Sequence, residues 1–248
     1  MKKGIIITVR LKSTRLKEKV LREVNGKIVL KYLTDRLREN FDGDIIICTS
    51  THSQDTPLVT FAKEEGLSYF RGSEDDVLER YYQTCKEYKL DKFYIIYGDE
   101  PFTDMETVKE NFELLKEGTP MWIKNDSLPE GSYGYGMNFK GIEYLNKNKL
   151  AENMEVWQIM ASNLPIHKIE HKTEVKERAD NIRLTIDYED DLQVFQEIIN
   201  KIGNRYLDIT LSELMDLYET ENYFRINGFR IEEYKARILE QGAIEIKK

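Results

Sequence analysis

The chain has 248 residues, of which 40% are hydrophobic and 33% charged, with only 5 prolines and 2 cysteines. This composition excludes collagen-like, disulfide-framework and broadly disordered proteins. Its longest apolar runs have the length of a strand, far short of a membrane span, and no signal-peptide pattern is present. We therefore expect a globular, cytoplasmic protein that makes no contact with a membrane.

Charge is unevenly distributed along the chain. The net charge of −8 argues against a general nucleic-acid-binding surface. The first forty residues, however, contain twelve Lys or Arg and only four Asp or Glu. Such a basic segment on an acidic body suggests that a small polyanion binds near the N-terminus, although a solvated basic helix face explains it equally well.

Strands and helices alternate in the predicted order of elements. Residues 4–9 form an apolar, β-branched run, as expected of a strand that is buried on both faces. Residues 127–138 are rich in Gly, Pro and Tyr and should form a loop or hairpin, and short helices are expected from residue 210 onward. Because strands alternate with helices, we expect an α/β fold with a mostly parallel sheet. Further strands are predicted over 44–48, 67–70, 92–97, 119–124, 166–170 and 182–186, and helices over 28–40, 57–65, 75–88, 150–163 and 189–202.

The loop after the first predicted strand is basic. In an open parallel sheet, ligands bind beside the carboxyl ends of the strands. The segment from Arg10 to Lys19 follows such an end and carries five positive charges and two hydroxyls. These groups can donate hydrogen bonds to a triphosphate and balance its negative charge. The segment matches neither the GxxxxGK(S/T) nor the GxGxxG pattern, so P-loop and dinucleotide-binding proteins have no motif support.

Two aspartates follow two other predicted strands. Asp99 lies in the segment Gly98-Asp99-Glu100-Pro101 that directly follows the strand over 92–97, and Asp187 directly follows the strand over 182–186. If they face the basic loop, their carboxylates can hold Mg²⁺ against phosphate oxygens. The alternative is that Asp99 is a turn residue and that Asp187, together with Asp190, caps the following helix.

Six segments resemble one family in the order of that family. The first segment, Ile5 to Leu21, contains Ser-Thr-Arg-Leu and Lys-Val-Leu, and Phe70 to Tyr82 is similar almost throughout. The family is that of the SpsF-like spore coat polysaccharide cytidylyltransferases, relatives of the CMP-Kdo and CMP-sialic acid synthetases. The remaining segments are Val24-Asn25-Gly26-Lys27, Gly98-Asp99-Glu100-Pro101, Arg183-Leu184-Thr185-Ile186-Asp187 and Ile226-Asn227.

The resemblance implies a fold and an assembly. The expected architecture is the three-layer, Rossmann-like nucleotidyltransferase (GT-A-like) fold with a mostly parallel central sheet. One cytidylyltransferase domain would span residues 1–207, with an excursion at about 125–172 that serves as a lid or dimer contact. A helical arm over 208–248 would pack on the same domain. A homodimer is expected by the same resemblance.

The resemblance also implies residue roles. Asp99 and Asp187 would hold Mg²⁺, while Arg15 and Lys19 would bind the β- and γ-phosphates of CTP and stabilise departing pyrophosphate. A hydroxyl of an acidic sugar would attack the α-phosphate and give a CMP-linked product for surface polysaccharide synthesis. The implied nucleotide-binding residues are Val9, Arg10, Leu11, Ser13, Thr14, Arg15, Lys19, Arg71, Ser73, Asp76 and Asp99.

The chain departs from the family pattern at two places. Lys12 and the Lys17-Glu18 pair stand where the phosphate loop of the family has a small residue and Pro-Gly. The acceptor region loses acidic groups and a histidine, and gains aromatic residues. The departures leave two alternatives open: a different nucleotide or a phosphorylated acceptor, and a non-catalytic binding subunit. The residues assigned to the acceptor are Tyr135, Asn138, Glu155 and Trp157.

Overall fold

A computed structural model describes residues 1–125, 127–149, 157–170 and 176–237. The strands are β1 (Lys3–Thr8), β2 (Glu23–Val24), β3 (Lys27–Ile28), β4 (Asp44–Ser50), β5 (Ser68–Gly72), β6 (Lys92–Tyr97), β7 (Met121–Lys124), β8 (Tyr135–Asn138) and β9 (His167–Glu170). The helices are α1 (Val29–Asn40), α2 (Thr56–Glu64), α3 (Val77–Tyr88), α4 (Met105–Leu114), α5 (Phe139–Asn148), α6 (Trp157–Asn163), α7 (Lys176–Ala179), α8 (Glu189–Ile202), α9 (Leu211–Thr220) and α10 (Phe224–Asn227). Residues 230–237 are also helical, and three 3-10 turns cover Lys19–Leu21, Ser53–Asp55 and Gly203–Leu207.

Seven strands form one sheet in the order β5-β4-β1-β6-β8-β7-β9. Strand β8 runs antiparallel to β6 and β7, and every other neighbouring pair is parallel. The predicted α/β fold with a mostly parallel sheet is confirmed. The carboxyl ends of β1 and β6, which pair in register from Lys3 and Lys92 onward, therefore lie at one edge.

Helices cover both faces of the sheet, because successive side chains of a strand point to opposite sides. Ile5 and Ile7 of β1 belong to a buried cluster that includes α1, α2 and α4. Ile6 belongs to the opposite cluster, which includes α3, α5 and α6. All three isoleucines are fully buried, which explains the continuous apolar run of this strand and gives the expected three layers.

The C-terminal segments pack on the same body. A third buried cluster joins Phe195 and Ile198 of α8 to Leu214 and Met215 of α9. Arg36 of α1 donates hydrogen bonds to three backbone carbonyls, including those of residues 206 and 209, and so connects this region to α1. No described helix is long and apolar enough to cross a membrane.

The predicted strand over 182–186 is wrong. Arg183 makes only an isolated bridge with Glu130, and the neighbouring amides pair with loops instead of a strand: Leu184 N–H donates to Glu130 and Ile186 N–H donates to Asp99. Helices α4 and α5 and strand β8 were not predicted as such. Of the helix predicted over 150–163, the structure has α6, while 150–156 lie outside the described residues.

Candidate active site

A cleft of about 520 Å³ opens at the carboxyl ends of β1 and β6. The loop after β1 and the start of α3 form one wall, and the β7–β8 region and α6 form the other. The helix over 230–237 closes one side. Gly98 permits the two loops to approach each other, since a Cβ atom there would lie only 2.8 Å from Val9 Cγ2.

Four charged residues predicted from the sequence meet in this cleft. Lys19 Nζ donates a hydrogen bond to Asp99 Oδ2 and lies 2.8 Å from Asp187 Oδ1. Arg15 donates to the same oxygen of Asp187. The Lys19 side chain is only 13% exposed, so its ammonium is held between two carboxylates and largely out of water.

The electrostatics of this centre are set by the ion pairs. Burial alone would lower the pKa of Lys19, but Asp99 and Asp187 outweigh it, and the pKa is raised above its usual value. Burial would likewise raise the pKa of Asp187, whereas Lys19 and Arg15 hold it well below its usual value. Asp187 is therefore ionised at neutral pH despite being buried.

Asp187 is oriented by a buried arginine. Arg183 Nη2 lies 3.1 Å from Asp187 Oδ2, and Arg183 Nε lies 2.9 Å from Asp191 Oδ1. Asp191 accepts hydrogen bonds from the backbone N–H groups of Asp187 and Tyr188 at the start of α8. The capping function that the sequence left open for Asp187 or Asp190 thus belongs to Asp191, and the Asp187 carboxylate points into the cleft.

The basic loop brings only part of its predicted residues to the cleft. Val9, Arg10 and Ser13 line it, as do Arg15 and Lys19. Leu11 is instead buried and donates its N–H to Asp55 Oδ1, while Thr14 is exposed and is not among the lining residues. Glu18 has φ 50°, in the left-handed region, where the resembling family has glycine.

The segment before α3 shapes the cleft without lining it at the predicted residues. Arg71 donates to the carbonyls of Ser50 and His52, and Ser73 Oγ accepts from Asp76 N–H. Asp76 caps α3 through a 3.0 Å hydrogen bond from Glu79 N–H. The resemblance implies that the loop from Arg71 to Asp76 lies near the base or ribose, but it singles out none of the residues that line the cleft here. These are Glu74, Asp75, Val77, Arg80 and Tyr81.

The four residues assigned to the acceptor are placed differently. Tyr135 lines the cleft, and Trp157 lies buried behind it with a ring-centroid distance of 5.3 Å. Asn138 does not reach the cleft, because its side chain caps α5 and bonds to the backbone of Met121 and of the turn before β7. Glu155 lies outside the described residues.

Several lining residues escaped the sequence prediction. Glu130 stands near Asp99 and Asp187, and burial raises its pKa to about 7. Burial also raises the pKa of Glu100 well above its usual value. Tyr234 and Arg237 come from the helix over 230–237. Among the described residues, no group of three or more His, Cys, Asp or Glu could hold a metal ion. Asp99 and Asp187 are a pair of carboxylates that both bond to Lys19.

Comparison with known proteins shows to which family the chain is similar and which solved structures share its fold. A family model described as cytidylyltransferase matches residues 4–231. The spore coat polysaccharide biosynthesis protein SpsF of Bacillus subtilis is 28% identical over 225 residues, which cover 86% of this chain and 92% of that protein.

Solved structures share the fold. A cytidylyltransferase from Leptospira borgpetersenii has 23% identity and a TM-score of 0.82 over 92% of this chain and 98% of its own. A CMP-2-keto-3-deoxy-manno-octonic acid synthetase solved with CTP has 12% identity and a TM-score of 0.58 over 81% of this chain and 99% of its own. Rv0371c of Mycobacterium tuberculosis, solved with manganese, has 15% identity and a TM-score of 0.52 over 79% and 97%.

The family match covers most of the chain, and it includes every residue of the charged centre formed by Arg15, Lys19, Asp99 and Asp187. The structural neighbours have the three-layer fold found here and include an enzyme solved with CTP. The chain therefore belongs to the cytidylyltransferase family of CTP-dependent nucleotidyltransferases.

Proposed function

We propose that the protein transfers CMP from CTP to an acidic sugar, with Mg²⁺ as the metal and pyrophosphate as the second product, for surface polysaccharide synthesis. The observation that carries this proposal is the convergence of Asp99 and Asp187 on Lys19, beside a basic loop and in a cleft of about 520 Å³. Opposite the basic loop, Tyr133 and Tyr135 offer ring surface on which a sugar can pack.

The residues present fit a divalent cation. Two carboxylates from different loops already share one positive charge, the Lys19 ammonium, and hard oxygen ligands are what Mg²⁺ prefers. Asp99 and Asp187 would hold the ion, and phosphate oxygens would complete its ligands. The ion supplies neutralisation of the charge that develops on the phosphates. The complex of a fold neighbour with manganese supports a divalent metal at this fold.

The basic residues would bind the triphosphate. Lys19 and Arg15 would bind the β- and γ-phosphates, and Arg10 and Ser13, which also line the cleft, would bind the phosphates or the nucleoside. The acceptor hydroxyl oxygen forms a bond to the α-phosphorus, the bond to the bridging oxygen of pyrophosphate breaks, and the hydroxyl proton leaves to solvent or base. Positioning and charge neutralisation carry this reaction.

The test is pyrophosphate release with CTP, UTP, ATP or GTP, Mg²⁺, and either Kdo or N-acetylneuraminate. We expect release with CTP only, and mass spectrometry should detect the CMP conjugate. Asp187→Asn should abolish it, while Asp190→Asn, whose carboxylate pairs with Arg230 outside the cleft, should not. Full activity of Asp187→Asn, or preference for another nucleotide, would contradict the proposal.

The homodimer expected by resemblance is proposed on that ground alone. Light scattering coupled to size-exclusion chromatography tests it directly. A mass of about twice 29.3 kDa is expected, and a monomer at all concentrations would refute the dimer without touching the proposed reaction.

A further inference from the structure

The helix over 230–237 brings two side chains into the cleft that lie beyond the family match, which ends at residue 231. These residues are Tyr234 and Arg237. Glu130 lines the same cleft, and the side chains of Tyr234 and Glu130 interact electrostatically. The guanidinium groups of Arg183 and Arg237 lie 5.3 and 5.0 Å from the centroid of the Tyr234 ring. The ring thereby fixes the position of Arg237.

The guanidinium of Arg237 lies near Asp187, and not all of its N–H groups have a hydrogen-bond partner among the described residues. Its Nη2 is 3.9 Å from Asp187 Oδ2, which is beyond hydrogen-bond distance. Its Nε is buried and has no hydrogen-bond partner among the described residues. The same Asp187 carboxylate also pairs with Arg15, Lys19 and Arg183, so Arg237 is the fourth cation beside it, although Lys19 is shared with Asp99 and Arg183 with Asp191.

Buried donors without partners are costly, and a guanidinium is a rigid fork that matches two oxygens of an anion. We propose that Arg237 binds an oxyanion at the point where the α-phosphate meets the acceptor, and that Tyr234 positions it there. The proposal rests on the proposed function. Two groups can supply this oxyanion: the α-phosphate itself, or the acceptor carboxylate, which in a CMP-linked 2-keto sugar acid is attached to the carbon that carries the phosphate.

The test measures calorimetric affinities for CTP, CMP and CMP-N-acetylneuraminate, each with Mg²⁺, on the full chain. The variants are Arg237→Gln, Arg237→Lys and Tyr234→Phe. Arg230→Gln is the matched control, because Arg230 lies on the same helix but pairs with Asp190 and Glu233 away from the cleft. Melting temperatures of all variants verify that each one folds.

Loss of a charge-assisted hydrogen bond should weaken binding by about tenfold to a hundredfold. If Arg237→Gln weakens the binding of CMP-N-acetylneuraminate by that factor and leaves the binding of CMP unchanged, the oxyanion is the carboxylate. If it weakens the binding of CTP, CMP and the conjugate by similar factors, the oxyanion is the α-phosphate. Arg237→Lys should retain part of the affinity in either case, because it keeps the charge but loses the fork.

If Arg237→Gln binds all three molecules within about twofold of the wild type, as the Arg230→Gln control should, the proposal is overturned while the proposed function stands. If the wild type binds neither CTP nor CMP, the proposed function fails and the inference fails with it. The two failures are therefore distinguishable, since only the second one is visible in the wild type.

Discussion

Replacing Lys19 by Met removes the positive charge between Asp99 and Asp187 and tests the electrostatic account of the site. The ammonium is 13% exposed and lies 2.8 Å from Asp187 Oδ1. Breaking a buried ion pair costs about 3–5 kcal/mol. Asp187 retains Arg15 and Arg183, so we expect the lower end of this range, about 3 kcal/mol, or a drop of roughly 6–12 °C in the melting temperature.

The same substitution leaves two carboxylates without the cation between them. Mn²⁺ or Mg²⁺ should therefore stabilise Lys19→Met more than it stabilises the wild type, because no ammonium competes for the oxygens. Thermal unfolding with and without the metal measures both effects. Lys201→Met is the control, since Lys201 pairs with Glu221 at the surface, where a pair contributes about 0–1 kcal/mol. A Lys19 variant that behaves like this control, with no response to metal, would refute the reasoning.

Two further predictions concern Glu130 and Glu18. The folded-state pKa of Glu130 is raised to about 7, so its ionisation costs stability as the pH rises from about 4.5 to 7. Glu130→Gln should therefore stabilise the protein by roughly 1–3 kcal/mol at pH 8 and by much less at pH 5. Urea unfolding measures this, and a difference in midpoint between the variant and the wild type that is the same at both pH values would contradict it. Glu18 adopts φ 50°, so Glu18→Gly should stabilise the fold by about 0.5 kcal/mol and Glu18→Ala should not; a glycine variant less stable than the alanine variant would show that the loop carries no strain.

Sequence reasoning located the elements that carry a periodic pattern. The run over 4–9 predicted β1, and the resemblance brought Arg15, Lys19, Asp99 and Asp187 together as one set, which the structure then placed within hydrogen-bond distance. Local signals for the missed helices existed. Asp104 caps α4 and Asn138 caps α5, and both are residue types that favour the first position of a helix.

The remaining parts of the site depend on tertiary structure. Glu130 is about a hundred residues away from Tyr234 and Arg237 along the chain, and the three line one cleft only because the helix over 230–237 packs beside it. The apolar pattern of 182–186 resembles a strand, yet its amides pair with the loops at Glu130 and Asp99. Period alone cannot distinguish an extended segment between loops from a strand within a sheet.

The central claim is that Asp99 and Asp187 make nucleotide binding depend on a metal, and Asp99→Asn tests it most directly. Calorimetry with CTP should be run on the wild type, Asp99→Asn and the Asp190→Asn control, in Mg²⁺ and again in EDTA. We predict that Mg²⁺ strengthens CTP binding to the wild type and to the control, and that Asp99→Asn loses this gain while binding CTP in EDTA at least as well as the wild type. An Asp99→Asn variant with the full gain from Mg²⁺ would contradict the account.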